Sequence, residues 1–228
     1  MINFVCVFYG NKYKPIYVQH LYNMVKRHLT VDHKFVCYTD NTKLHKRVKG
    51  DIEFKQFPLF DEQGWWNKMQ LFHPDNGLDG VNLYMDLDVV ILKNIDQMAT
   101  FGDDMTFGVL HDFTGFDGIN SSIMKWNNKN ATPAVWEKYY EDRTKWRRFQ
   151  GDQNVTYELL KHLPWMRYMP NKWTFSYKWF TREDPRFHKS DWTFEKDAES
   201  LVSVFHGQPN PHESTEPVSY THLTLPTS

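Results

Sequence analysis

An apolar run that is interrupted by two aspartates most constrains the fold of this chain. Residues 81–92 read VNLYMDLDVVIL, so Asp86 and Asp88 stand between apolar residues on both sides. Such a run predicts a buried strand, and ionised carboxylates are very rarely buried unless their charge is compensated. In an extended segment the two side chains point to one side, where their oxygens suit a hard cation such as Mg²⁺ or Mn²⁺. The alternative is that the strand ends here and that the carboxylates are solvated or cap the next turn.

Strand and helix signals alternate through the first half of the chain. The patterns predict strands near 2–9, 34–39, 52–57 and 81–88, and helices near 14–29 and 64–72. In the less regular second half, they predict strands within 103–112, 118–126 and 201–207, and helices near 133–142 and 152–162. The alternation predicts an α/β fold with a mostly parallel central sheet flanked by helices, whose ligands bind at the carboxyl ends of the strands.

Several classes of protein are disfavoured. No GxGxxG or GxxxxGK[ST] sequence follows a predicted strand, which counts against a dinucleotide-binding dehydrogenase and a P-loop NTPase. The formal charge of -1 argues against a broad nucleic-acid-binding surface. No apolar stretch approaches the roughly 18 residues of a membrane span, and the N-terminus lacks the layout of a signal peptide. We therefore expect a cytoplasmic protein with no nucleic-acid partner and no transmembrane segment.

The chain is expected to form one domain. Its 228 residues, 40% of them hydrophobic, suffice for one substantial core, and we assign residues 1–217 to it because no repeat or linker divides them. Residues 218–228, VSYTHLTLPTS, contain no Asp, Glu, Lys or Arg and resemble a translated adapter sequence, so we expect a non-native or disordered tail and a missing natural C-terminus. Cys6 and Cys37 have similar apolar contexts and are predicted to be buried free thiols in neighbouring strands.

Two further polar side chains are candidates for a site with the aspartates. His206 ends the late strand, and its imidazole beside two carboxylates would suit Mn²⁺, although a histidine bonded to backbone is the alternative. Lys68 stands beside the apolar face of the predicted helix at 64–72, where it either meets phosphate groups or faces solvent.

Two short polar segments leave their role open. Asp152 and Gln153 follow Gly151, so Asp152 is either an ordinary cap at a helix start or a residue that faces a substrate. Asn120 and Ser121 stand between apolar residues, which fits a turn or a set of hydroxyl-binding groups.

The order of these motifs resembles that of a known family. YMDLDVVIL, GINSSIMKW, GDQNVTYELL and FHGQPNPHE are similar to the successive motifs of GT-A-fold glycosyltransferases, most of all the glycogenin and lipopolysaccharide galactosyltransferase family. The resemblance covers most of residues 1–213. It implies a single GT-A-type, Rossmann-like domain that transfers a hexose, with metal dependence and retention of configuration, from a nucleotide sugar. A UDP-sugar is the expected donor, and a glycan, a lipid-linked sugar or a protein is the acceptor.

The resemblance also implies roles for individual residues. Asp86, Asp88 and His206 would bind Mn²⁺ or Mg²⁺. Asp152 and Gln153 would lie beside the reacting carbon. The residues implied for donor binding are Tyr9, Asn11, Lys68, Asp86, Asn120 and Ser121.

The late motif departs from the family pattern HxxGxxKPW. Here Gly207 directly follows His206, and Asn210 stands where the family has a phosphate-binding lysine. His212 is therefore an alternative to His206 as the metal ligand.

Two other functions fit the first motif. Residues 86–90, DLDVV, match the DxDx[TV] of haloacid-dehalogenase-like phosphatases, in which Asp86 would be the nucleophile and Asp88 the general acid. Those enzymes carry the motif on their first strand, whereas residues 1–85 precede it here. A non-catalytic relative that binds sugar nucleotides or glycans is the third possibility, because function lies in the site rather than in the fold.

Overall fold

The computed structural model describes residues 1–113, 117–180, 199–205 and 210–213. Its strands are β1 (Ile2–Phe8), β2 (His33–Thr39), β3 (Ile52–Lys55), β4 (Val81–Met85), β5 (Val89–Ile91), β6 (Phe107–His111), β7 (Ile119–Asn127), β8 (Met166–Tyr168), β9 (Thr174–Ser176) and β10 (Val202–Val204). Its α-helices are α1 (Ile16–His28), α2 (Asp96–Ala99), α3 (Asn128–Ala131), α4 (Lys138–Glu141), α5 (Arg143–Trp146), α6 (Asp152–Leu160) and α7 (Tyr177–Phe180). A π-helical segment covers Thr132–Glu137, and 3-10 helices cover Leu44–Lys46, Gly64–Phe72, Pro74–Asn76, Asn171–Trp173 and Pro211–Glu213.

The central sheet has seven strands in the order β3-β2-β1-β4-β7-β6-β8. Four neighbouring pairs are parallel, namely β1 with β2, β1 with β4, β2 with β3 and β6 with β8. Strand β7 runs antiparallel to β4 and to β6. The predicted α/β fold with a mostly parallel sheet is thus confirmed. A second sheet of three strands has the order β5-β10-β9.

Strand β1 is covered on both faces, as its apolar sequence requires. Successive side chains of a strand point to opposite faces. Phe4 and Cys6 pack with Leu21 of α1 in one core, whereas Val5 packs in the other core with Val155 of α6. Burial of such a side chain contributes about 1.5–3 kcal/mol, so the two cores hold the helices on both faces of the sheet.

The two cysteines lie side by side in this core. Cys6 of β1 and Cys37 of β2 are directly paired in register. Both are fully buried free thiols, which confirms the prediction from their sequence contexts.

The strand that carries the Asp-x-Asp ends earlier than its sequence predicts. Strand β4 ends at Met85, so Asp86 and Asp88 lie in the turn between β4 and β5 rather than in an extended segment. The alternation of strand side chains is therefore not what brings the two carboxylates together. They face a common cleft because the turn lies at the carboxyl end of β4.

Among the residues with described positions, no helix has the length and apolarity to cross a membrane. Residues 218–228 lie outside the described residues. The assignment of residues 1–217 to one domain therefore stays a prediction.

Candidate active site

A cleft of about 370 Å³ opens at the carboxyl end of β4. Its walls come from the loop after β1, the 3-10 helix Gly64–Phe72, the turn after β4, the start of β7 and the start of α6. The structure brings together seven of the predicted site residues on these walls: Lys68, Asp86, Asp88, Asn120, Ser121, Asp152 and Gln153.

Lys68 contacts side chains from three of the other walls of the cleft. Its Nζ lies 2.9 Å from Oδ1 of Asp86, 3.2 Å from Oγ of Ser121 and 3.7 Å from Oδ2 of Asp152. The 3-10 helix that carries Lys68 buries Met69, Leu71 and Phe72 in the core, whereas Lys68 lines the cleft. Only 13% of the Lys68 side chain is exposed, so Lys68 does not face solvent.

The polar cluster of β7 is placed beside Asp86 by strand pairing. Strand β7 is antiparallel to β4, and the backbone N–H of Asp86 donates to the carbonyl of Ser122 over 2.8 Å. Ser121 Oγ donates to Asp152 Oδ2 over 2.9 Å, and the side-chain oxygen of Asn120 accepts from the N–H of Ser122 over 3.0 Å. These hydroxyl and amide groups therefore lie on the wall of the cleft between two carboxylates.

Asp152 begins α6 without capping it. The cap residue is Gly151, and no side chain caps this end of the helix. The Asp152 carboxylate instead turns toward Ser121 and Lys68. Burial raises the pKa of Asp152, and Lys68 opposes that rise. The position of this carboxylate is therefore set by the cleft rather than by the helix.

The charges in the cleft are partly balanced. Burial raises the pKa of Asp86, but Lys68 and the hydroxyl of Tyr84, 2.5 Å from Oδ1, outweigh it and leave that pKa lowered. Burial lowers the pKa of Lys68, but Asp152 and Asp86 outweigh it and leave that pKa raised. Asp86 is therefore ionised and Lys68 is protonated at neutral pH.

Asp88 has a different environment. It is 5% exposed, and its Oδ2 accepts a hydrogen bond of 2.5 Å from the hydroxyl of Tyr13. Among the residues that the structure describes, it forms no ion pair within 4 Å. Burial and the nearby Asp86 raise the pKa of Asp88 to about 6. The sequence does not single out Tyr13, since it lies between two lysines in what reads as a surface loop.

Replacing Asp88 by asparagine should stabilise the fold at high pH. The carboxyl of an unfolded chain has a pKa of about 3.9, whereas that of Asp88 is about 6. Between these values the folded state binds more protons, so the contribution of Asp88 to stability falls as the pH rises. Without metal, we expect the variant to gain about 1–3 kcal/mol at pH 8 and to lose that gain near pH 4.

Urea denaturation at both pH values, with a chelator present, measures this difference. Asp79→Asn is the control, because Asp79 is exposed. An Asp88→Asn variant that is no more stable than the wild type at pH 8 would show that the Asp88 carboxylate is compensated.

The remaining predicted residues lie elsewhere or outside the described residues. Tyr9 packs edge-on against Phe57, with ring centroids 6.0 Å apart, and Asn11 is exposed. Lys12, rather than either of them, is the residue of this loop that lines the cleft. His212 forms a hydrogen bond with the hydroxyl of Tyr17.

The predicted metal ligand His206, and Gly207 after it, lie outside the described residues. Phe205, which precedes His206, donates its backbone N–H to the carbonyl of Asp88 over 3.2 Å. Asn210 donates its side-chain amide to Glu213 over 3.0 Å.

The carboxylates at the cleft fit part of a divalent cation site. Within the described part of the chain there is no group of three metal-binding side chains. Asp86 and Asp88 nevertheless supply hard oxygen donors at one place, and Mg²⁺ is often held by two carboxylates and the phosphates of a substrate. The three carboxylates and two lysines of the cleft also leave it formally negative, which favours an added cation.

The fold is similar to that of solved glycosyltransferases, in agreement with the resemblance of the motifs to those of GT-A-fold enzymes. The chain is similar to the galactosyltransferase LgtC solved with donor and acceptor sugar analogues, with 15% identity and a TM-score of 0.66 over 97% of this chain and 95% of that one. It is also similar to the glycosyltransferase GlyE of Streptococcus pneumoniae TIGR4, with 14% identity and a TM-score of 0.72. That match covers the whole of this chain but 62% of GlyE.

A third similar structure is that of mouse xyloside xylosyltransferase 1, with 12% identity and a TM-score of 0.57 over 91% of this chain and 97% of that one. No protein-family model and no curated protein matches the sequence. At these identities the likeness is one of fold.

Proposed function

We propose that this protein is a glycosyltransferase that moves a hexose from a nucleotide-sugar donor, a UDP-sugar, to a glycan, lipid-linked or protein acceptor. The observation that carries the proposal is the network around Lys68. A buried lysine there joins the Asp-x-Asp turn, the polar start of β7 and the start of α6 in one cleft. Solved structures of similar fold include a galactosyltransferase with donor and acceptor analogues, which supports the same class of substrates.

The chemistry needs a leaving diphosphate that accepts negative charge. As the bond between the anomeric carbon and oxygen breaks, charge develops on the diphosphate, and we assign the stabilisation of that charge to the ammonium of Lys68. Asn120 and Ser121 offer amide and hydroxyl groups to the hydroxyls of the donor sugar. Asp152 and Gln153 stand at the same wall, where a carboxylate and an amide stabilise the positive charge that develops at the anomeric carbon. We propose that the reaction retains the donor configuration, as the resemblance of the motifs implies.

The proposal includes Mn²⁺ or Mg²⁺ with Asp86 and Asp88 as ligands. When bound, such a cation acts as a Lewis acid on the phosphate oxygens. His206 is the third ligand that we propose, and the hydrogen bond between Phe205 and Asp88 supports it because Phe205 is the preceding residue. Tyr13 holds the Asp88 carboxylate in place through its hydroxyl. A cytoplasmic location remains a prediction from the sequence.

The phosphatase alternative is not favoured. In that reading Asp86 is a nucleophile, but both of its oxygens lie within 3.2 Å of Lys68 and one also accepts from Tyr84. The Asp-x-Asp follows the fourth strand of the chain rather than the first. Turnover of p-nitrophenyl phosphate that depends on Asp86, without sugar-nucleotide hydrolysis, would reverse this ranking.

A thermal-shift screen of UDP-, GDP- and CDP-sugars, with and without Mn²⁺, tests the proposed function. A ligand that binds only the native state raises the melting temperature by mass action. We expect a UDP-sugar with Mn²⁺ to give the largest increase, and Asp88→Asn to remove the part that depends on Mn²⁺ while the variant remains folded. An equal Mn²⁺-dependent increase in Asp88→Asn would exclude Asp88 as a ligand. Binding without any hydrolysis or transfer would favour the non-catalytic relative.

A further inference from the structure

Trp65 stands at the mouth of the cleft with much of its side chain exposed. It is 58% exposed, whereas its neighbours Asn67 and Met69 are buried. Most of the large apolar side chains that the described residues expose lie away from the cleft, but Trp65 lines it with Lys68 and Asp86. An exposed indole leaves apolar surface in contact with water, and aromatic side chains beside well-placed polar groups are typical of ligand pockets.

The turn that presents Trp65 is held by buried side chains. Gly64 has a φ of +58°, a left-handed conformation that favours glycine. The side-chain amide of Asn67 donates to the carbonyl of Gly64 over 3.1 Å, and that of Gln70 donates to Asn67 over 2.8 Å. Both amides are fully or almost fully buried, so this short network fixes the path of the backbone on either side of Trp65.

A buried carboxylate anchors the start of the same turn. The Glu62 side chain is 0% exposed, and its oxygens lie 3.2 Å from Arg143, 2.6 Å from Arg147 and 3.0 Å from the hydroxyl of Tyr139. Trp66 stacks on the ring of Tyr139, with centroids 6.1 Å apart and planes at 13°. The turn is therefore fixed to α4 and α5, and Trp65 needs little ordering when a ligand binds. Binding to a surface that is already ordered avoids part of the entropic cost of association.

The surroundings of Trp65 suit an uncharged sugar ring. Its indole Nε1 lies 3.7 Å from the position that a Cβ of Gly151 would occupy, so the ring stands beside the backbone that leads into Asp152. The amide side chains of Gln150, Gln153 and Asn154 line the same cleft. A flat apolar face beside amide groups matches a pyranose, which presents C–H groups on one face and hydroxyls around its edge.

We infer that Trp65 is a specificity-determining residue that stacks on the pyranose ring of the acceptor. This inference rests on the proposed function. The groups proposed to hold the donor are the deeper ones, since Ser121 is 3% exposed and Asn120 is 8% exposed. Trp65, which is 58% exposed, lies on the outer side of them, where a second substrate can reach the donor.

Fluorine NMR of the full chain labelled with 5-fluorotryptophan tests the contact directly. The chain has nine tryptophans, and Trp65→Phe identifies the signal of Trp65. We expect methyl α- or β-pyranosides of glucose, galactose or xylose to shift the Trp65 signal, while UDP alone does not. A Trp65 signal that no pyranoside shifts up to its solubility limit would overturn the inference. A shift caused by UDP alone would assign the ring to the nucleotide base and overturn it as well.

Kinetics then separate Trp65 from the donor site. With p-nitrophenyl pyranosides as acceptors, we expect Trp65→Ala to raise the acceptor KM about tenfold and Trp65→Phe to restore most of it. The melting temperature and the affinity for UDP should stay at wild-type values in both variants. Phe60→Ala is the matched control, since Phe60 is 88% exposed, precedes the turn and lies outside the cleft lining.

Two outcomes distinguish a failure of this inference from a failure of the proposed function. An unchanged acceptor KM in Trp65→Ala, with active wild-type enzyme, overturns the inference and leaves the glycosyltransferase proposal standing. Absence of nucleotide-sugar binding and hydrolysis in the wild type overturns the proposed function and with it the acceptor role of Trp65, even if pyranosides shift its fluorine signal.

Discussion

Asp152→Asn should lower turnover of the nucleotide sugar by a factor of about 10²–10³, with little change in stability or donor affinity. Asparagine keeps the shape of the side chain and an oxygen that accepts the hydrogen bond from Ser121. It removes the negative charge that we propose to stabilise the transition state, and a loss confined to turnover is the signature of such an interaction. Initial rates, donor titration and urea denaturation on the one variant give the three quantities.

The chain offers a matched control for this experiment. Asp142 is a true helix cap, because its carboxylate accepts from the backbone N–H of Lys145 over 2.9 Å at the start of α5. Asparagine caps a helix about as well as aspartate, so Asp142→Asn should leave turnover and stability unchanged. Wild-type turnover in Asp152→Asn would remove Asp152 from the active site.

Lys68→Met should lower the free energy of unfolding by about 3–5 kcal/mol. Methionine fills most of the space of lysine but leaves Asp86 and Asp152 without the cation that they share at 2.9 and 3.7 Å. A buried charge that loses its partner destabilises the fold far more than an exposed one does. The side chains of Asp86 and Asp152 are only 22% and 9% exposed. Urea denaturation at pH 8 measures the loss, and at pH 4 part of it should be recovered because Asp152 is protonated more readily.

Lys161→Met is the comparison for the lysine variant. Lys161 pairs with Glu158 at 2.8 Å on the surface, with 29% and 35% of the two side chains exposed. Surface pairs of this kind contribute about 0.2–1 kcal/mol, so this change should be small. If the free energy of unfolding falls by the same small amount in both variants, the ion pairs of Lys68 contribute little to the stability of the fold.

The fold was predictable from the sequence because its signals are local. The apolar runs of β1, β2 and β4 and the helical period of α1 define the alternation of strands and helices, and the order of the polar motifs places them at one end of the sheet. Where the prediction differs from the structure, the local sequence pattern is ambiguous. The segment Gly64–Phe72 has the apolar pattern of a helix but forms 3-10 turns, and the apolar residues on both sides of Asp86 conceal the end of β4.

The partners within the site were less predictable, because they come from distant parts of the chain. Tyr13 reads as a loop residue between lysines, yet it donates to Asp88, 75 residues later. Glu62 reads as an ordinary surface acid, yet it is buried by Arg143 and Arg147, 81 and 85 residues later. No short pattern specifies such pairs, since the tertiary packing of separate segments decides which charges meet.

The two buried free cysteines make the chain convenient for site-specific labelling. Cys6 and Cys37 are the two cysteines of the sequence, and both are 0% exposed in the core of the sheet. Burial raises the pKa of the Cys6 thiol, and a thiol that is neither exposed nor ionised reacts slowly with maleimides. A cysteine introduced on the surface would therefore be the one readily alkylated thiol of the folded chain. A fluorophore can thus be attached beside the cleft without first removing the native cysteines.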